Sequence, residues 1–183
     1  MSLCALSTAS SATAVTQTLT LDPVATKIEF VLGATLHSAD GTIGLEGGRV
    51  EFDPDTGAAG GEIVIDATSA ATGLASRDRN MHADVLESAH FPKMTFRANH
   101  LEVARRDAQS ADVTLHGVLS MHGQEHPLAL PAKLVAHDGR VSIEIAFDLP
   151  YVDWGVRDYS NFVLRVDRFV HVKVHGEGVL GRP

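Results

Sequence analysis

Strict alternation of apolar and polar residues is the feature that most constrains this chain of 183 residues. The run from Val141 to Leu149 is an example, because its valine, isoleucine, phenylalanine and leucine residues alternate with serine, glutamate, alanine and aspartate. Successive side chains of a β-strand point to opposite faces, so this period of two predicts strands with one buried and one solvated face. Strands of that kind are typical of antiparallel sheets.

The same period recurs along most of the chain from Thr18 onward, and we expect the apolar members of each run to share one interior. The expected inward residues are Ile28, Phe30, Leu32, Ala34, Leu36, Val113, Leu115, Leu119, Met121, Leu128, Leu130, Ala132, Leu134, Val141, Ile143, Ile145, Phe147, Leu149, Phe162, Leu164, Val166, Val170, Val172 and Val174. About eight such strands predict an antiparallel barrel or a sandwich, and a closed eight-stranded barrel can enclose one small ligand. Aromatic residues make up only 5% of the chain, so we expect a tunnel-like apolar pocket that side chains do not fill.

Short polar segments between these runs predict the connections. Asp138-Gly139 is typical of a two-residue hairpin turn, and Asp53–Gly57 and Ser38–Gly41 are typical of longer turns. The polar stretch 105–112 predicts a loop. Pro131 interrupts a strand pattern, and because proline has no N–H to donate to a ladder, it predicts an edge position or a bulge.

The segment from Ser76 to Ser88 is the one that breaks the period of two. Met81 and Val85 are spaced as on one face of a helix, Ser76 can cap its start, and Pro92 prevents its continuation. The sequence therefore predicts an all-β domain over residues 17–183 that contains one short helix.

The first 16 residues are small, polar and without period. Ala12-Thr13-Ala14 matches the small-x-small pattern of a signal-peptidase site. Two interpretations stay open, a remnant of an export signal and a disordered tail. The first predicts a periplasmic or secreted protein.

Composition excludes several classes of function. The formal net charge of −8 opposes binding to nucleic acid and docking on anionic lipid. Cys4 is the only cysteine, which excludes an intrachain disulfide and a cysteine-based zinc site. No apolar run approaches the roughly 20 residues of a membrane span, so we expect no stable membrane insertion. The ten histidines show no metal-ligand spacing, so we expect no bound metal.

Several short motifs follow one another in an order that is more specific than any one of them. They are Asp22-Pro23-x-x-Thr26-x-Ile28-x-Phe30, Leu36-His37-x-x-x-Gly41-Thr42, Gly48-x-Val50-x-Phe52-Asp53, Asp66-Ala67-x-Ser69-x-x-Thr72-Gly73, Arg77-Asp78-x-x-Met81-His82, His116-Gly117-x-Leu119-x-x-His122-Gly123 and Pro150-Tyr151-Val152-Asp153-Trp154-Gly155. From about Leu19 to Gly178 this order resembles the YceI-like family of lipocalin-like, polyisoprenoid-binding bacterial proteins. The resemblance implies an eight-stranded antiparallel barrel with a long apolar pocket, and export to the periplasm or beyond. It also implies a bound isoprenoid quinone, polyprenyl lipid or similar amphiphile, with no other cofactor required.

A prenyl lipid needs an apolar tube for its tail and a few polar groups at the mouth for its head. Arg77 can donate to a quinone carbonyl or a pyrophosphate while Asp78 orients it, or the two can hold the helix against the barrel rim. Tyr151 and Trp154 suit a wet pocket mouth, or alternatively plug the core beside Pro150. The full set of expected ligand-binding residues is Phe30, His37, Arg77, Asp78, Met81, Phe96, Phe147, Tyr151, Trp154 and Phe162.

These observations predict a protein that binds, sequesters or transports a long-chain isoprenoid lipid and that is not an enzyme. Two alternatives stay open. One is a small hydrolase or isomerase that acts on a lipid through Asp78, His82 or His37. The other is a filled barrel that acts as an interaction module. The expected partner is a hydrophobic small molecule, and the sequence leaves both a monomer and a homodimer open.

Overall fold

The computed structural model describes residues 16–35, 38–157 and 165–181. Nine strands and one helical segment account for most of these residues. The strands are β1 (Gln17–Leu21), β2 (Lys27–Leu32), β3 (Ala39–Phe52), β4 (Ala59–Ala71), β5 (Lys93–Arg106), β6 (Ser110–Met121), β7 (Gln124–His137), β8 (Arg140–Leu149) and β9 (Val170–Gly181). Helix α1 (Ala75–Asn80) lies between β4 and β5 and continues into a π-helical turn, Met81–Val85, called the π turn below.

Strands β3 to β9 form an antiparallel meander in which each strand pairs with the next along the chain. Strands β1 and β2 each pair with β3 on one side and with β9 on the other, so together they fill a single position in the sheet. The result is a closed antiparallel barrel of eight positions with one short helix, which confirms the predicted fold class.

The barrel has two unlike ends. The turn end carries the short connections 53–58, 107–109 and 138–139. The helix end carries α1 with the π turn, and also residues 150–157 after β8, which we call the strap. Among the described residues, no helix has the length and apolar character needed to cross a membrane.

The predicted alternation is confirmed along every described run. All described members of the expected inward set line the cavity except Val141, which is buried. In β8, for example, Ile143 and Ile145 line the interior whereas Glu144 and Ala146 are exposed. The remaining members lie outside the described residues, namely Leu36, Phe162 and Leu164. The N-terminal segment 1–15, with Cys4 and Ala12-Thr13-Ala14, lies outside them as well.

Two predicted turns at the turn end are confirmed. Asp138 and Gly139 have φ angles of 46° and 75°, the left-handed pair that suits a two-residue hairpin. In the turn 53–57, the Asp53 carboxylate accepts the backbone N–H groups of Asp55 and Thr56 at 2.9 and 3.2 Å. These bonds explain why the turn closes on itself within five residues.

Two predicted connections are wrong in extent or in kind. The loop expected over 105–112 is reduced to residues 107–109, because β5 and β6 stay paired as far as Arg106 and Ala111. The turn expected at Ser38–Gly41 is instead the start of β3. Gly41 pairs with Phe30, and a Cβ added to Gly41 would lie 2.3 Å from the Phe30 ring. The glycine thus makes room for a cross-strand aromatic ring rather than for a turn.

The predicted helix is present, but its start and its second half differ from the expectation. It begins at Ala75, and no side chain caps its first turn, so Ser76 is not the capping residue. After Asn80 the chain widens into the π turn, which ends at Val85 rather than at Ser88. The helix is held by contacts to β4 instead, which are described below.

Pro131 lies where the ladder between β7 and β8 ends. That ladder runs from His137–Arg140 to Ala132–Ile145, and within the described chain residues 124–131 of β7 pair only with β6. Proline cannot donate to the next bond of the ladder, so the edge-like position expected for Pro131 is confirmed. Pro127 stands on the same unpaired stretch. Within the described residues, this stretch of β7 therefore has no strand paired with it on the side of β8.

Candidate functional site

A cavity of about 660 Å³ occupies the barrel interior, a size that is ordinary for small-molecule sites. Its wall consists almost entirely of aliphatic and aromatic side chains from all nine strands and from the helical segment. Among the described residues the polar lining consists of Thr26, Thr72, Ser76, Arg77, Asn80 and Tyr151. Arg77 is the charged member of that set. Most of the polar lining therefore lies at the helix end.

Thr72, the residue after β4, fastens helix α1 to the barrel. Arg77 donates from Nε to the Thr72 hydroxyl at 2.8 Å and from Nη2 to the Thr72 carbonyl at 3.1 Å. The Asp78 carboxylate accepts the Thr72 N–H at 2.8 Å and also the Thr72 hydroxyl proton. These bonds from Thr72 hold the pKa of the Asp78 carboxyl below its usual value. The two residues thus meet at Thr72, and their contacts have the form expected for holding the helix at the rim.

Arg77 has further hydrogen-bonding capacity at the cavity wall. A guanidinium carries five N–H groups, and Thr72 accepts from two of them. The other three have no acceptor among the described residues, and the side chain lines the cavity. Ser76 and Asn80 line the same end. This arrangement offers fixed donors to an oxygen-rich group at the helix end.

His82 is fully engaged in holding the π turn. Its Nε2 lies 2.9 Å from the carbonyl oxygen of Ala70, which can only accept, so Nε2 carries the proton. Its Nδ1 then accepts from the Ser88 hydroxyl at 2.9 Å. His82 connects the π turn to β4 and to the loop that follows, and it is not among the residues that line the cavity.

The expected aromatic and sulfur contacts divide into two groups. Phe30, Met81, Phe96 and Phe147 line the cavity, and so does Tyr151, which is buried. Phe96 and Tyr151 belong to the buried cluster that also contains Leu119, Met121, Leu130 and Val156. His37 and Phe162 lie outside the described residues.

Trp154 does not face the cavity, contrary to the expectation that it lies at the mouth. Its ring stacks on His126 of β7, with centroids 4.2 Å apart and planes 4° from parallel. The strap carries Trp154 across the unpaired stretch of β7, where no strand competes for the space. Burial beneath this stack lowers the pKa of His126. Asp78 also turns away from the cavity, toward Thr72.

Sequence reasoning missed Thr72, Ser76 and Asn80 as part of the polar rim. Thr72 stands in one of the ordered motifs, but nothing in its spacing reveals that Arg77 and Asp78 both bond to it. Ser76 was assigned to capping rather than to the wall. The described ranges contain no group of three or more His, Cys, Asp or Glu side chains that could hold a metal ion.

Comparisons with known proteins agree with this geometry. The family model described as YceI-like domain matches residues 19–178. A polyisoprenoid-binding domain from Saccharophagus degradans, implicated in plant cell wall breakdown, has a TM-score of 0.69 at 18% identity, over 90% of this chain and 98% of that one. BcnA from Burkholderia cenocepacia has a TM-score of 0.69 at 18% identity, over 86% of this chain and 98% of its own.

A YceI protein from Campylobacter jejuni is similar as well, with a TM-score of 0.56 at 14% identity, over 83% of this chain and 84% of that one. At such low identities the solved structures establish a shared fold, and the family model carries the family assignment. No curated protein sequence matches the chain.

Proposed function

This chain belongs to the YceI-like domain family, and from that premise we infer that it binds a long-chain isoprenoid lipid in the barrel cavity. The ligand class we propose is an isoprenoid quinone, a polyprenyl lipid or a similar amphiphile. The protein sequesters or carries this lipid and does not transform it. The solved relative from Saccharophagus degradans is itself a polyisoprenoid-binding domain, which supports the proposal without supplying a ligand for this chain.

The observation that carries the proposal is a cavity of about 660 Å³ with an almost wholly apolar wall. Each CH₂ group that leaves water for such a wall is worth about 0.8 kcal/mol. A long hydrocarbon chain therefore gains most of its affinity from burial. The unfilled interior also disfavours the alternative of a packed barrel that serves only as an interaction module.

The polar rim at the helix end supports the placement of the head group there. Arg77 presents three N–H groups without acceptors among the described residues, beside Ser76 and Asn80. Charge-assisted hydrogen bonds from a guanidinium suit a quinone carbonyl, a phosphate or a carboxylate. In this binding mode the tail of the ligand extends away from the rim toward the turn end.

The enzyme alternative has weaker support from the same residues. A general acid or base has to reach the substrate, yet Asp78 bonds to Thr72 and both ring nitrogens of His82 are occupied. Neither side chain lines the cavity. A non-catalytic binding role is therefore the simpler proposal.

Export to the periplasm or beyond is part of the same proposal. Its support is the small-x-small pattern at Ala12-Thr13-Ala14, together with a family whose resemblance implies export. Fractionation of host cells is expected to recover the protein in the periplasmic or extracellular fraction with a shortened N-terminus. Recovery in the cytoplasm with Met1 intact would contradict this part of the proposal.

A matched pair of variants tests lipid binding in the cavity. Ala132 lines the cavity from β7, whereas Ala146 of the neighbouring strand is exposed. Ala132→Phe fills the interior and is expected to weaken binding of a short-chain prenyl quinone by roughly tenfold or more. Ala146→Phe adds the same ring outside the barrel and is expected to leave affinity unchanged. Equal affinities for all three proteins, each with a normal Tm, would reject the cavity as the binding site.

A further inference from the structure

The two ends of the cavity differ in polarity, and this difference orients the bound chain. Five of the six polar lining residues lie at the helix end, whereas the lining nearest the turn end is apolar except for Thr26, which lies beside Gly176. That apolar lining comprises Leu19, Val50, Phe52, Leu101, Val113 and Leu134. Whatever limits the length of a bound tail therefore lies at the turn end.

The inward column of β8 shows where the cavity stops. Its inward residues from Ile143 to Leu149 all line the cavity. Val141 has the same inward phase and is 6% exposed, yet it does not line the cavity. Val141 is one inward position closer to the turn end than Ile143, so the space ends between these two side chains.

Leu19 completes the closure beside Val141. Val141 pairs with Gly178 of β9, which has no side chain of its own. A Cβ added to Gly178 would lie 2.9 Å from Leu19 Cδ1, so the Leu19 side chain already covers the glycine. Leu19 is also a lining residue.

The same boundary occurs on other walls. On β6, Val113 lines the cavity and is buried, whereas its partner Val103 on β5 does not line it. On β5 and β8 the lining therefore stops short of an inward valine, which is Val103 on β5 and Val141 on β8.

We propose that Leu19, which lines the cavity over Gly178, forms the floor of the cavity with Val141 packed behind it, and that this pair determines the longest chain that the protein accepts. This assignment rests on the proposed lipid-binding function and adds a specificity-determining residue to it. A chain that reaches the floor gains from every methylene it buries. Further methylenes have to remain outside the cavity or force the wall apart, and neither improves affinity.

The same substitution, valine to alanine, at two positions along the barrel tests the floor assignment. Val141→Ala removes two methyl groups from the floor, and Val172→Ala removes the same atoms from the side wall on β9, where Val172 lines the cavity. The probes are saturated fatty acids from laurate to behenate, and the measurement is affinity as a function of chain length. Leu19→Val is a second floor variant, which serves if Val141→Ala fails to fold.

For Val141→Ala we expect the affinity plateau to move to a fatty acid longer by about two methylenes, and for Leu19→Val, which removes one carbon, by about one. For Val172→Ala we expect weaker binding of every chain with the plateau unmoved. A plateau that moves in none of the variants, or equally in the floor and wall variants, overturns the floor assignment while lipid binding stands. If the wild-type protein binds no fatty acid and no prenyl quinone, the proposed function fails, and the floor assignment fails with it.

Discussion

The connections at the turn end contain hydrogen bonds between groups within a few residues of one another, whereas at the helix end several contacts also join groups that are far apart in the chain. In the turn 107–109, the Asp107 carboxylate accepts the N–H groups of Gln109 and Ser110 at 2.9 and 2.7 Å. At the helix end, His82 bonds to Ala70, twelve residues away. The helical segment and the strap at the helix end therefore depend more on the assembled barrel than the turns 53–58 and 107–109 do.

Other contacts at the helix end join residues that are still farther apart in the chain. The backbone N–H of Thr35 donates to the carbonyl of Arg165 at 2.9 Å, and the Arg165 N–H donates to the Thr35 hydroxyl at 3.1 Å, across 130 positions. Trp154 of the strap stacks on His126 of β7. The polar groups that line the cavity are concentrated at this end.

Replacement of a positive-φ glycine by alanine at each end is expected to give the largest difference in stability between the two ends. Gly61 near the turn end has φ 107°, and an added Cβ would lie 2.1 Å from the Arg49 carbonyl oxygen. Gly73 at the helix end has φ 76° and open space around it. In urea unfolding, Gly61→Ala is expected to lower the free energy of unfolding by roughly 3–5 kcal/mol, and Gly73→Ala by roughly 1–2 kcal/mol.

Gly60 provides the control for this pair, because an added Cβ there would meet nothing within 4 Å and its φ is not positive. Gly60→Ala is expected to change the free energy of unfolding by about 1 kcal/mol or less. Equal decreases in the free energy of unfolding for Gly61→Ala and Gly73→Ala would show that the close approach of the added Cβ to the Arg49 carbonyl oxygen does not affect stability.

Substitution of Arg77 tests whether this side chain binds the ligand in addition to holding helix α1 at Thr72. Arg77→Ala is expected to weaken a lipid with a charged or quinone head by roughly 10- to 100-fold, since a charge-assisted bond is lost. Arg79, exposed on the same helix and outside the lining, provides the matched control as Arg79→Ala. Isothermal titration with a prenyl quinone measures both. An unchanged affinity with a lowered Tm would restrict Arg77 to holding the helix at Thr72.

Acid titration of the turn end gives the smallest expected effect. Hydrogen bonds from the Ser110 hydroxyl and from the Gln109 and Ser110 N–H groups lower the pKa of Asp107 from 3.8 to about 2. The stabilisation from a depressed carboxyl pKa is complete above 3.8 and is lost as the pH falls toward about 2. Across that window the Tm of the wild type is expected to fall more than that of Asp107→Asn.

Asp112, exposed on the adjacent strand, provides the control, because it accepts no hydrogen bond among the described residues. Asp112→Asn is therefore expected to keep the acid sensitivity of the wild type. Identical pH profiles for Asp107→Asn and the wild type would mean that the carboxylate does not hold this turn.

The same contrast explains how much could be predicted from the sequence. The alternating strands and the turns at Asp53–Gly57 and Asp138-Gly139 follow from residues that are close in the chain, and these predictions are confirmed. The start of β3 at Ala39 was not predicted, because the reason for a glycine at position 41 is the ring of Phe30, which lies on another strand. Nothing local to Trp154 indicates its stack on His126. The polar rim likewise depends on Thr72 meeting Arg77, which only the folded barrel brings about.

Binding of the lipid inside the barrel is tested by an NMR search for intermolecular NOEs between a bound prenyl quinone and methyl groups of the protein. We expect NOEs from the isoprenoid chain to cavity-lining methyl groups such as those of Leu130, Ile145 and Val172. NOEs confined to exposed apolar residues such as Leu74 and Phe169, with none to the cavity methyl groups, would contradict binding inside the barrel.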